Sequence, residues 1–513
     1  MKKLLKFLTS RTFLFMVLIL LQLIILVALL LEFSRVGSVL YLLLTILSVL
    51  VMLPILEYAD INPAYKLMWL LLIIAMPLSG AVFYMLLGSR GIRPKKAAQF
   101  ADIEHKAAAA VQPDGCASRA LKQFDRGLER SVDYLSTYAA SPVYQATQSR
   151  YFATGEEFFP VFLEELRQAR RSVFMEYFII EEGEMWNQTL EILKEKARQG
   201  LDVRVIYDGV GSMFTLPLDY DEQLRAMGIK CYAFNGLHFS WHLTDYKMLN
   251  NRDHRKIAVI DGEIGFSGGL NFADEYINRK ERFGYWKDTA FMLKGPAVYS
   301  LSLTFFRMWD FVAGTETNFR SYLPVNRFEE EEGFVQPYCD SPLDGESISE
   351  NAYLNVLQQA KDYVYLTTPY LILDNEMVTT LCLAAKSGVD IRIITPGIPD
   401  KWYVYYVTQS YYATLLKAGI RIYEYTPGFI HAKMYLSDDK LAIVGSANMD
   451  YRSLYLHFEN CCAFYGGHMP HDVKRDILRT MAQSHEVTLQ EAQSAPLYKW
   501  VAQIFLRLFA PLM

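Results

Sequence analysis

Hydrophobic and polar positions divide the 513 residues into two regimes. At the start, apolar residues come in unbroken runs: 13–31 (FLFMVLILLQLIILVALLL), 36–56 and 67–87 (LMWLLLIIAMPLSGAVFYMLL) carry no charge. Each is long enough, as a helix, to cross a hydrocarbon core of about 30 Å, and Pro77 and Gly80 are tolerated inside bilayers. The first run exceeds a usual signal-peptide core and no small-residue cleavage site follows it, so residues 1–90 are expected to form a retained transmembrane helical anchor. Lys2, Lys3, Lys6 and Arg11 before the first run and Arg90, Arg93, Lys95 and Lys96 after the third both favour the cytoplasm, which three full crossings cannot satisfy. One run is therefore re-entrant or interfacial, or one flank departs from the rule.

Beyond a polar, Ala-rich connector (91–150) the pattern changes to short apolar strands alternating with amphipathic helices, and it occurs twice. FLEELRQARRSVFMEYFII (162–180) and YLNVLQQAKDYVYLTTPYLI (353–372) each read as a helix followed by a buried strand. GLDVRVIYD (200–208) and GVDIRIITP (388–396) each place a glycine helix stop before a Val/Ile strand, and GIKCYAF (228–234) answers GIRIYEY (419–425). The expected architecture is α/β: two pseudo-repeated halves, 151–328 and 329–490, each a mixed sheet flanked by helices, with the active site between them. The acidic run Glu329–Glu332 reads as the solvated join between the halves, and residues 491–513 as an apolar amphipathic helix suited to a membrane surface. The first half carries extra residues around NGLHFSWHLTDYKMLNN (235–251), where Phe239 and Trp241, like KWYVYYVTQSYY (401–412), can meet acyl chains or headgroups.

A net charge of −5 gives no support to a nucleic-acid binder. The six cysteines show no C-x-x-C spacing, so neither a zinc site nor a disulfide framework is expected. Reduced thiols, together with the juxtamembrane basic cluster that precedes the rest of the chain, point to a cytoplasmic catalytic portion.

The chemistry sits at the end of each repeat. In RDHRKIAVIDGEIGFSGGLNFA (252–273) His254 is followed by Lys256, Asp261 and Asn271; in FIHAKMYLSDDKLAIVGSANMD (429–450) His431 is followed at the same offsets by Lys433, Asp438 and Asn448. Residues two apart on a strand share a face, so each His and Lys project together. Asn271 and Asn448 follow small-residue turns where backbone and side-chain amides can meet an anion. Face to face, two imidazoles, two ammonium groups and two amides suit a phosphodiester: one histidine attacks phosphorus, and the other protonates the leaving alkoxide and then deprotonates the acceptor. Lysines supply the positive charge, so neither metal nor cofactor is expected. Asp261 and Asp438 complete the candidate catalytic set, although each ends a strand beside a turn, where a carboxylate commonly satisfies backbone amides; that structural use is favoured. His105, His238, His242, His457, His468, His471 and His485 read as structural.

The paired H-x-K-x-x-x-x-D motifs with downstream G-G-x-N or G-S-x-N resemble the phospholipase D superfamily over residues 152–490. Within it, RDHRKIAVIDGEIGFSGGLN, the tail NMDYRSLYLHFEN and the apolar N-terminus resemble bacterial cardiolipin synthases. The resemblance implies condensation of two phosphatidylglycerol molecules to cardiolipin and glycerol through a phosphatidyl-histidine, without a metal, at the bacterial plasma membrane. The alternative is a phospholipase D-type hydrolase or another phosphatidyltransferase, such as a phosphatidylserine synthase. The resemblance further implies an acid that holds each histidine by its second nitrogen: Glu459 matches in the second copy, and Asp288 in the first, at offsets of 28 and 34 from the copy's own histidine. Superfamily analogy favours His254 as nucleophile and His431 as general acid and base. Donor preference and oligomeric state are not fixed by these motifs.

Overall fold

Proline chemistry decides the start of the chain. In this computed structural model the described residues are 35–57, 62–88, 94–111, 115–236, 248–324, 326 and 332–513. The run 13–31, most of the inserted segment (237–247, with Phe239 and Trp241) and Glu329–Glu331 lie outside them. The run 36–56 forms a helix, Arg35–Glu57, on which many apolar side chains, Leu42, Leu43 and Leu50 among them, are exposed while Ile55 is buried. The third run is not one helix. A residue before proline is sterically driven out of the helical region, and Met76 (φ −136°, ψ 75°) ends Pro63–Ala75 before Pro77–Phe83 begins. Among the described residues no helix is long and apolar enough to cross a membrane, so spans over 36–56 and 67–87 are not found there, and the expectation for 13–31 falls outside them.

The chain divides into two units, residues 1–96 with 237–250 and 512, and residues 97–236 with 251–511 and 513. The second unit holds both repeats. The connector expected as a linker contains the helices Pro94–Ala110, Gly115–Phe124 and Glu129–Tyr138.

The first half contains β1 (Gln148–Phe152), β2 (Ser172–Tyr177), β3 (Asp202–Asp208), β4 (Lys230–Phe234), β5 (Arg252–Asp253), β6 (Lys256–Ile260), β7 (Ile264–Gly268), β8 (Tyr285–Lys287) and β9 (Ala290–Lys294). The second contains β10 (Phe334–Asp340), β11 (Tyr363–Thr367), β12 (Asp390–Pro396), β13 (Arg421–Tyr425), β14 (Gly428–Ile430), β15 (Met434–Ser437), β16 (Leu441–Gly445), β17 (His457–Tyr465) and β18 (Ser484–Glu486). Sheet order is β1-β9-β7-β6-β2-β3-β4 in one half and β10-β17-β16-β15-β11-β12-β13-β18 in the other, so the halves match strand for strand until β18 extends the second. β2, β3 and β4 run parallel, as do β11, β12 and β13; the remaining neighbours in the two sheets are antiparallel.

β2 is buried at every position, as a strand covered on both faces must be. Phe158, Phe162 and Trp186 from the helices Gly155–Gln168 and Glu184–Arg198 pack on one face of the first sheet. Phe174 of β2 stacks at 5.2 Å on Phe305 of the helix Val298–Ala313 on the other. That helix is buried nearly all round and touches both β2 and β10, which makes it the shared core of the two halves.

Two short parallel pairs cross between the halves. β5 pairs with β17 (Arg252↔His457, Asp253↔Phe458), and β14 pairs with β8 (Phe429↔Trp286, Ile430↔Lys287). Each ends at a motif histidine: the His254 amide donates to the Phe458 carbonyl (2.9 Å) and the His431 amide to the Lys287 carbonyl (2.7 Å). The backbone of each catalytic strand is thus held in place by the other half.

Candidate active site

Because Phe458 and Lys287 immediately precede Glu459 and Asp288, the crossing pairs also decide which acid meets which histidine. His254 Nδ1 lies 2.9 and 3.0 Å from the two Glu459 oxygens, and His431 Nδ1 lies 2.6 Å from Asp288 Oδ2. Each acid therefore serves the histidine of the opposite half, correcting the expectation of pairing within a copy. The unequal offsets have a local origin: Asp288 follows Asn271 by 17 residues and Glu459 follows Asn448 by 11, so the extra residues lie beyond the asparagine, around Arg279–Gly284.

Both imidazoles are buried. Burial, and then the charges of Lys256 and Lys433, hold both well below the ordinary imidazole value, so both rings are neutral near pH 7. With Nδ1–H given to a carboxylate, the lone pair is on Nε2. Burial brings Lys256 down to about 7 and Lys433 to about 8, and raises Asp288 to about 6 against the opposing pull of Lys433. Lys256 Nζ donates to the His254 carbonyl and Lys433 Nζ to the His431 carbonyl. Lys433 Nζ also lies 2.8 Å from Nδ1 and 3.0 Å from Nε2 of the His431 ring, contacts that Lys256 does not repeat with His254. An anionic phosphodiester between these lysines would restore their charge.

The motif asparagines brace the loops. Asn271 Oδ1 accepts from the Ile179 amide (3.1 Å), and its Nδ2 donates to Tyr276 Oη (2.6 Å), whose ring sits 5.7 Å from His431. Asn448 Nδ2 donates to Asp450 (2.9 Å), and its buried Oδ1 has no partner. Each amide nitrogen carries a second hydrogen, which a phosphate oxygen can use.

Asp261 and Asp438, expected as candidate catalytic residues, are elsewhere. Both adopt positive φ in tight turns (57° and 52°). Asp261 accepts from the amides of Arg170, Arg171 and Ser172, and Asp438 from those of Lys361, Asp362 and Tyr363. Each carboxylate ties down the start of the neighbouring strand, β2 or β11, and the motif aspartates are structural.

Sequence reasoning marks Ser446 and Ser267, beside the phosphate turns, as donors or merely small side chains, and misses Asn460, Phe178 and the place of His457 in the site. Ser446 Oγ donates to Glu459 Oε2 (2.5 Å). Asn460 bridges the halves, its Oδ1 accepting from the Lys256 amide (3.3 Å) and its Nδ2 donating to Ser267 Oγ (2.6 Å). Phe178 packs edge-on to His254 at 4.9 Å, and His457, read as structural, lies 5.4 Å from it. Asn460 and His457 lie one and two residues from Glu459 in HFEN, a proximity that could have found them. Among the described residues, His254, His457 and Glu459 are the group whose ligand atoms, all within 4.8 Å, could hold a metal. Two of the three already bind each other, and the lysine charges acting on His254 oppose a second cation there.

Comparison with known proteins agrees with this constellation. The family model described as cardiolipin synthase, PLD-like domain, matches residues 162–302 and 353–481, one segment in each half. Cardiolipin synthase of Geobacillus kaustophilus is 34% identical over 88% of this chain and 89% of its own, and cardiolipin synthase 1 of Bacillus anthracis is 33% identical over 88% and 90%. An uncharacterized Streptococcus mutans protein is 42% identical over 87% of this chain and 96% of its own. The crystal structure of a phosphatidylserine synthase from Haemophilus influenzae shares the fold, with a TM-score of 0.56 at 16% identity over 75% of this chain and 97% of that one. The chain belongs to the cardiolipin synthase family of phospholipase D-like proteins and is a phosphatidyltransferase of the phospholipase D type.

Proposed function

We propose that this protein joins two phosphatidylglycerol molecules into cardiolipin, releasing glycerol, through a phosphatidyl-histidine on His254. The observation that carries the reading is the pair of neutral histidines, each with Nδ1 fixed by a carboxylate, beside two buried lysines. Lys256 and Lys433 hold the phosphodiester of the first lipid, and the second hydrogens of Asn271 and Asn448 orient its oxygens. His254 Nε2 attacks phosphorus, forming a P–N bond as the P–O bond to glycerol breaks; the departing alkoxide takes a proton that His431 Nε2 relays from the Lys433 ammonium beside it, and the second step returns that proton by the same route. A terminal hydroxyl of the second phosphatidylglycerol then gives its proton to His431 and attacks phosphorus, and the P–N bond breaks to leave free His254.

His254 suits the nucleophilic role because no ammonium lies against its ring, whereas Lys433 lies against both ring nitrogens of His431. The apolar runs 13–31 and 36–56 and the exposed leucines of Arg35–Glu57 support attachment to a bacterial plasma membrane, with the catalytic portion on the cytoplasmic side.

Purified enzyme with labelled phosphatidylglycerol in mixed micelles, with and without chelator, tests the reading by product mass spectrometry. Cardiolipin and glycerol in equal amounts, indifferent to chelator, are expected. Phosphatidic acid as the sole product would make the protein a hydrolase and overturn the reading.

A further inference from the structure

The catalytic histidines are buried, yet loops that back onto them end in apolar side chains facing water. After β3, Ser212 Oγ accepts from the Ile180 amide (3.1 Å) and Thr215 Oγ1 donates to the Ile180 carbonyl (2.6 Å). A Cβ at Gly211 would stand 2.3 Å from the Phe178 carbonyl oxygen, so only glycine lets this loop lie against the residue that packs on His254. Between those anchors Phe214 is 91% exposed, and Leu218, a few residues on, is 70% exposed.

The second half repeats the device after β12, the counterpart of β3. Tyr370 Oη donates to Asp400 (2.6 Å), and its ring approaches Phe429 (6.4 Å), which in turn approaches His431 (5.8 Å). Ile398 and Trp402, the latter 63% exposed, flank Asp400. Trp402 opens the helix Trp402–Lys417, on which the C-terminal helix Leu497–Leu508 packs through Lys499 over Tyr406 and Arg507 over Tyr411. Its opposite face presents Leu497, Val501, Ile504, Phe505 and Leu508, a single stripe at helical spacing with no buried member.

Apolar side chains exposed on three elements, two of them at corresponding places beside the two histidines, mark an interaction surface rather than scattered exposure. Charge indicates the partner. Arg279, Lys280 and Arg282 near this rim are each paired with a glutamate, Glu184, Glu181 and Glu275, but the helix Leu497–Leu508 carries Lys499 and Arg507 and no acidic residue. An apolar helical stripe flanked by basic residues with no acid of its own fits an anionic bilayer, whereas a second copy would set the same two cations against each other.

Resting on the phosphatidyl-transfer reading above, we propose that the Phe214–Leu218 loop, the Ile398–Trp402 segment and the outer stripe of Leu497–Leu508 form one docking surface for an anionic phospholipid bilayer. It seats the catalytic cleft at headgroup level, so that donor and acceptor lipids reach the histidines without leaving the membrane.

The full-length Phe214→Ser/Trp402→Ser/Phe505→Ser variant should turn over phosphatidylglycerol in vesicles at least about tenfold more slowly than wild type, and monomeric dihexanoyl-phosphatidylglycerol within about twofold of it. Equal losses on both substrates, or no loss on vesicles, would overturn the proposal. Failure of wild type on both substrates would instead refute the transfer chemistry. A second readout is independent of turnover: in vesicles with brominated acyl chains, wild type should lose tryptophan fluorescence that Trp402→Phe/Trp500→Phe does not. Equal quenching of the two proteins, as when a second copy shields the face, would overturn the proposal.

Discussion

Around His254 the orienting acid is Glu459, which also receives the Ser446 hydroxyl. Around His431 it is Asp288, and Gly269 stands where Ser446 stands in the other half, because a Cβ there would come within 2.1 Å of the Asp288 carboxylate. Two residues before each acid, His254 has His457 for a neighbour and His431 has Trp286, at 5.4 and 5.6 Å. Lys433 touches the His431 ring, and Lys256 reaches only the backbone of His254. The duplicated backbone frame survives intact, down to the amide bond each histidine makes to the other half, while the side chains around the rings have diverged. Matched motifs can thus carry unequal roles, and the residues that separate those roles lie outside the motifs.

The largest test of that inequality removes the rings themselves. His254→Ala should lower cardiolipin formation by at least about 10⁴-fold and abolish the covalent intermediate. His431→Ala should cost about 10²- to 10⁴-fold yet still form the intermediate from a donor with a good leaving group, as rapid-quench kinetics would read. Next come the acids. Glu459→Gln should slow attack by His254 and Asp288→Asn should slow protonation by His431, each about 10²- to 10³-fold. In a double-mutant cycle Glu459→Gln should couple to His254→Ala and not to His431→Ala; the reverse coupling would restore pairing within each half.

Proton uptake gives a smaller effect. Lys256 and Lys433, at about 7 and about 8, lie well below the ordinary ammonium value, and a bound phosphodiester favours their charged forms. As pH rises from about 7 to about 9, the free enzyme loses protons that binding must restore, so KM should climb by up to about tenfold per pH unit for each lysine. Lys433→Met should remove the part of that rise centred near pH 8, measured as KM against pH. The smallest effect on turnover belongs to the motif aspartates. Asp261→Ala and Asp438→Ala should each cost about 1–3 kcal/mol in denaturant unfolding, by stranding backbone amides. In folded protein, kcat should stay within about twofold; a large loss of kcat at full stability would return these residues to the chemistry.

Much of this was legible because alternation and repetition are local. RDHRKIAVID and FIHAKMYLSD show two-residue periodicity, and laying the copies on each other anticipated corresponding sheets. The crossing of Glu459 and Asp288 was not legible, since β5 has two residues and β8 and β14 have three, too short for any period, and their pairings are set by tertiary packing. The helix Val298–Ala313 is buried between the sheets and so lacks the polar face that would have announced it. Pro77 was read as tolerable within a span, but it ends a helix at Met76. The motif aspartates stand among the catalytic candidates because they recur beside the histidines, while their turn positions favour the structural use that the geometry supports.

One measurement bears most directly on the unequal histidines. Enzyme quenched during turnover of labelled phosphatidylglycerol, digested under alkaline conditions and mapped by mass spectrometry would locate the phosphorus. The account predicts the label on the peptide carrying His254, retained in His431→Ala and absent from His254→Ala. Label on the peptide carrying His431 would contradict it and exchange the roles of the two halves.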